Sequence, residues 1–173
     1  MRVLFPWGLN GLAACLLVGA APAHADDCAI VKTASIAQAK VPYAVVHVMT
    51  LPGKPAQRFE MIFKGDKAYT LMNGAWSSMA FSMQDRIDTI NAASEQAAKA
   101  TYTCRKVGSE AVNGEPASVL ASHGDSHGKV TDSRLWVSDK TGLPLKSEVH
   151  LAAGTVITDE FRYAHVDVPP GVK

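Results

Sequence analysis

Two Asn-Gly pairs, Asn73-Gly74 and Asn113-Gly114, constrain this chain more than any other feature. Asn-Gly tolerates positive φ at both central positions of a type I′ turn, which folds one strand tightly back on another. Apolar segments flank each pair. Residues 67–72 carry Tyr69 and Leu71, 75–79 carry Trp76, and strand patterns recur at 101–106, 117–122, 130–138, 143–151 and 156–166. Residues 58–64 alternate, with Phe59, Met61 and Phe63 against Arg58, Glu60 and Lys64. Residues 43–51 are apolar on both sides, the pattern of a central strand covered on both faces. In 143–151, Leu143, Leu145, Val149 and Leu151 are expected on one face and Lys146, Glu148 and His150 on the other. Local hairpins of this kind predict antiparallel pairing.

The period changes twice. Ile30, Val31, Ala34 and Ala37 recur at helical spacing over 29–40, and Pro42 stops that helix. Ser82 and Asp85 form a capping-box pattern. Behind it, Met83, Ile87, Ile90, Ala93 and Ala97 make one apolar stripe, which predicts an amphipathic helix over 83–99. The expected fold class is α+β: one curved antiparallel sheet of about nine strands, with both helices on its concave side.

The first 25 residues read as a signal peptide. Arg2 begins it, an apolar stretch at 11–21 follows, and Ala23-His24-Ala25 offers a cleavage site. A lipobox reading of 12–15 would instead make Cys15 a lipidated N-terminus. Residues 26–173 are then one domain, exported to the periplasm, with a net charge near zero and no basic field for nucleic acid. Cys28 and Cys104 are a candidate disulfide in an exported chain, or else two reduced thiols.

Residues 122–129, S-H-G-D-S-H-G-K, admit three readings. Gly124 to Gly128 matches G-x-S-x-G, with Ser126, Asp159 and His165 in triad order. A nucleophile elbow, however, joins a strand to a helix, and strand patterns lie on both sides here. His123, Asp125 and His127 are a candidate metal clip, but a stable site wants further ligands. The plain expectation is a polar surface loop. His47 is expected to be a satisfied core residue, and His150 and His165 to face water. Phosphate-binding, dinucleotide-binding and zinc-protease motifs are missing, so we expect a protein without cofactor, metal or catalytic residues.

Phe59, Met61, Phe63, Tyr69, Leu71, Trp76, Met79, Met83 and Ile87 are the apolar residues we expect on one inner surface, either as ordinary core or as the lining of a ligand cavity. Methionine repacks around guests of different shape, which favours the second reading.

Two segments carry a resemblance. Residues 135–146, L-W-V-S-D-K-T-G-L-P-L-K, are similar to the W-[IV]-x-x-x-T-G-L-P-L-[KR] segment of periplasmic LolA/LolB-like proteins. Residues 161–169, F-R-Y-A-H-V-D-V-P, resemble their closing F-x-Y-x-x-V-x-x-P strand. That superfamily includes lipoprotein carriers, the sensor RseB and mycobacterial lipid-binding lipoproteins. The resemblance implies an unclosed (half) β-barrel that holds acyl chains in an apolar hollow under helical lids. The family's cavity arginine matches no motif position here; Arg58 and Arg86 share only its residue type. The expected function is binding of a lipid, a lipoprotein acyl chain or another hydrophobic molecule. A sensor that recognises a periplasmic or outer-membrane protein is the alternative, and metal binding at 123–127 a third.

Overall fold

A computed structural model describes residues 25–99, 101–126 and 128–172. The expected signal segment with Cys15 lies outside the described residues, except for Ala25, and so does His127. Helix α1 (Ala25–Ala39) precedes strands β1 (Tyr43–Thr50), β2 (Gln57–Lys64), β3 (Lys67–Met72) and β4 (Ala75–Ala80). Helix α2 (Met83–Lys99) follows, then β5 (Thr101–Val112), β6 (Glu115–Ser126), β7 (Lys129–Ser138), β8 (Pro144–Leu151) and β9 (Val156–Arg162). The nine strands form one antiparallel sheet in the order β4-β3-β2-β1-β9-β8-β7-β6-β5. Asn73 and Gly74 have φ 51° and 78°, and Asn113 and Gly114 have φ 51° and 83°, as their turns require.

That order dictates curvature. β4 and β5 are the two edges of the sheet, yet α2 alone joins them. A flat sheet of this many strands would hold its edges about 38 Å apart. The 17-residue α2 covers about 25 Å at 1.5 Å per residue. The sheet therefore bends into an unclosed barrel, and both helices lie on its concave side. No described helix is long and apolar enough to cross a membrane.

Pairing assigns the faces, because residues opposite each other in register point the same way. Ala34 of α1 packs on Leu120 and Val137, with Val31 and Leu135 beside them, so these mark the inner face. Following the register across the sheet, the inner face continues through Ser147, Asp159, His47 and Phe59. The outer face has apolar clusters of its own. Ala117, Val119, Trp136 and Leu145 form one, and Ala44, Ile62, Tyr69 and Val166 another.

Four expectations are corrected here. Residues 122–126 are not loop but the end of β6, which runs straight into the hairpin with β7. Leu145 packs against Trp136 on the outer face, because the register shifts between Trp136 and Val137 at the start of β8. The last strand ends at Arg162, so Val166 is outside the sheet and folds beneath its outer surface. Met83, expected to face inward, is 44% exposed; as the first residue of α2 it stands at the rim, while Arg86 is buried.

Candidate functional site: the hollow under the helices

The nine residues expected on one inner surface divide between two. Met61 pairs with Thr70 and Ser77 lies beyond it, whereas Ile62 pairs with Tyr69, and Leu71 with Trp76. Phe59, Met61, Phe63 and Met79 are therefore inner, and Tyr69, Leu71 and Trp76 outer. The physical reason is Ile62. It stands among Arg58, Glu60 and Lys64 on the outer side of β2, and the turn after Lys64 sets it, not Met61, opposite Tyr69. Tyr69 is buried with Ile62 and Val166, and Trp76 packs against that cluster. Ile87 is half-buried on α2.

The inner floor has an aromatic row at one end. Tyr43 stacks on Phe63 with centroids 4.6 Å apart, and Phe161 meets Tyr43 edge-on at 6.2 Å. Burial pushes the Tyr43 phenol up to about 12, against partial relief from the nearby Arg86 charge. In the middle of the floor His47 Nδ1 is 2.7 Å from Asp159 Oδ1, and the Ser147 hydroxyl donates to Asp159 Oδ2 at 2.9 Å. His47 is thus satisfied, as expected, but it is half-buried on the trough floor rather than in the core. Ser147 bonds Asp159 and not His47, so the three do not form a nucleophile-base relay.

A hollow of about 620 Å³ lies at the other end, between α1, α2 and β5. Val31 and Ser35 of α1, Ile90, Ala93 and Ala97 of α2 and Tyr102 of β5 line it, and Lys32 stands at its edge. None of the nine residues singled out from the sequence is among its lining. Three of its α2 residues do belong to the stripe read from helical spacing. Val31 belongs to the stripe read over 29–40, whereas Tyr102 carried no signal of its own, because its role depends on how α1 is held. A disulfide holds it: Cys28 and Cys104 are bonded, with Cα atoms 5.1 Å apart. The size lies within the usual range of ligand pockets, roughly 300–1,000 Å³.

His127 lies outside the described residues, and the side chains of His123 and Asp125 pair locally. His123 pairs with Asp132 at 2.8 Å, and the Asp125 carboxylate accepts the Gly128 N–H at 2.9 Å, closing the hairpin. Among the described residues no group of three His, Cys, Asp or Glu side chains is arranged to hold a metal. His123 shares the outer face with Asp132, Arg134, Glu148 and His150. A hydrogen bond from His150 holds the Glu148 carboxyl below its ordinary range. His150 and His165 are exposed, as expected. Of the two arginines of interest, Arg58 is exposed on the outer face and Arg86 is buried beneath α2.

An unclosed antiparallel barrel with two helices on its inner side is the architecture that the resemblance of the two C-terminal segments implies. Among solved structures it is similar to a chain of the Pseudomonas aeruginosa MucA/MucB complex (TM-score 0.57, 18% identity), over 83% of this chain and 59% of that one. It is also similar to MucB in complex with MucA(peri) (TM-score 0.54, 21% identity), over 79% and 54%. The Mycobacterium tuberculosis lipoprotein LppX matches over 83% of this chain and 98% of its own (TM-score 0.52, 11% identity). The chain thus spans under two thirds of the MucB structures and nearly the whole of LppX. No family model and no curated protein matches the sequence.

Proposed function

We propose that this is a non-enzymatic periplasmic binding protein, exported by cleavage of its first 25 residues, that holds the apolar part of a lipid or acylated molecule between α1 and α2. The supporting observation is the 620 Å³ hollow walled by aliphatic side chains and Tyr102. Each CH₂ buried there contributes about 0.8 kcal/mol, so a medium-length acyl chain binds without any catalytic group. The floor of β1 and β2, with Phe59 and Met61, offers further apolar surface outside the helices. Delipidated protein is expected to gain thermal stability with a fatty acid or phospholipid, and gently purified protein to retain a lipid visible by mass spectrometry. Ala93→Trp, which narrows the hollow, should remove both effects. If wild type neither retains lipid nor responds to it, the reading fails.

A second reading, a protein-recognition module, is favoured by the charged outer face of β6–β8, where Arg105, Arg134, Glu148 and His150 surround a hollow of about 440 Å³. The complex of MucB with MucA shows one protein of this fold with a polypeptide partner. Arg134→Glu should abolish capture of such a partner from a periplasmic extract while leaving lipid retention intact.

A further inference from the structure

Arg86 is the most buried of the described side chains of α2, at 7% exposure. Its Nη2 donates to the Gly65 carbonyl at 3.3 Å. Its Nε and Nη1 are buried and have no protein acceptor. Among the described residues no ion pair includes Arg86. A buried guanidinium cannot shed its proton to relieve this, as a lysine or histidine would. Arg86 is the fourth residue of α2, where the helix presents the positive end of its dipole. Asp85 offsets that dipole at the helix start, so the unpaired donors of the buried guanidinium are what call for negative charge.

The location says where that charge comes from. Ile90, which lines the hollow, follows Arg86 by four residues and sits one turn along the same side of α2. Ala97 continues that line. An apolar wall thus leads along the helix to a buried cation about 6 Å beyond Ile90, just outside the residues that line the hollow.

We propose that Arg86 binds the anionic head, carboxylate or phosphate, of an amphiphile whose tail occupies the hollow between α1 and α2. This rests on the lipid-binding reading and narrows it to acidic ligands. Two free donors meet two head-group oxygens, and the tail runs past Ile90 toward Ala97 and Tyr102. Lys32, exposed at the edge of the hollow, is the competing cation.

The test compares three ligands of equal chain length, dodecanoate, dodecyl phosphate and dodecanol, on delipidated full chain by displacement of a fluorescent fatty probe. Wild type should bind at least one of the two anions about tenfold or more tighter than the alcohol, the scale of a charged hydrogen bond. Which anion wins separates a free fatty acid from a phosphorylated lipid. Arg86→Gln should bring the preferred anion down to the level of the alcohol, Arg86→Lys should restore part of the preference, and Lys32→Gln should leave it in place. Equal binding of all three ligands by wild type overturns the proposal but leaves hydrophobic binding standing. Loss of the preference in Lys32→Gln instead of Arg86→Gln overturns it as well. Failure of every ligand to bind removes the lipid-binding reading itself, and this inference with it. The wild-type comparison decides the matter even if a variant fails to fold.

Discussion

Cys28 and Cys104 bring helix α1 against the edge strand β5, bridging 76 positions of sequence. Cys28 also borders the hollow, so the bridge and the site share a wall. A closure of that length adds about 4 kcal/mol by the loop-entropy estimate. Reduction, or Cys28→Ser with Cys104→Ser, should lower the urea midpoint strongly and weaken lipid retention in parallel. An unchanged midpoint would show that the packing of α1 through Ala34 suffices alone.

His47 is held by one carboxylate, and that carboxylate is shared with Ser147. His47→Phe leaves Asp159 partly desolvated with one donor fewer, at a cost of about 1–3 kcal/mol. Ser147→Ala should cost less, since His47 remains. Adding Asp159→Asn to His47→Phe should recover part of the loss, because it removes the charge left short of partners. Chemical denaturation of the four proteins reads out the coupling.

Opposite behaviour is expected of two apolar residues at the same end of the sheet. Val166 is 7% exposed and covers Ala44, Ile62 and Tyr69 on the outer face. Met79 is 62% exposed on the inner side of the edge strand. Val166→Ala should cost about 1–3 kcal/mol through the space it leaves, and Met79→Ala no more than about 0.5 kcal/mol. Equal losses in thermal melts would contradict the assignment of faces.

Tyr43 sets an alkaline limit. Its phenol ionises near 12 in the folded protein, against 10.0 when exposed. The folded state thus holds its proton more tightly than the unfolded state. The stabilisation is complete below pH 10.0 and is lost as pH rises toward 12. Burial raises Tyr163 in the same sense. Tyr43→Phe should therefore flatten the decline of the urea midpoint in this range without abolishing it, and phenolate absorbance should rise together with unfolding.

Much of the architecture could be read from local chemistry. The Asn-Gly turns, the period-two strands and the Ser82 cap fixed the element order, because each depends only on neighbours in sequence. The sides of the sheet were less accessible. The pattern of β2 is clean, but the register that sets Tyr69 opposite Ile62 instead of Met61 depends on the turn between β2 and β3. The bulge beside Trp136 moved Leu145 across the sheet for a reason no periodicity reveals. The hollow was half visible: Ile90, Ala93 and Ala97 stood out as a stripe, whereas Tyr102 and Arg86 gain meaning only from long-range packing. A charged residue near the start of a helix ordinarily faces water, and only the fold shows that this one does not.

The helix that roofs the trough also carries the chain directly from one rim to the other. Any widening of the gap between β4 and β5 must be met by tilting or unwinding those seventeen residues. The length of one helix therefore doubles as a gauge for the largest guest the open barrel admits.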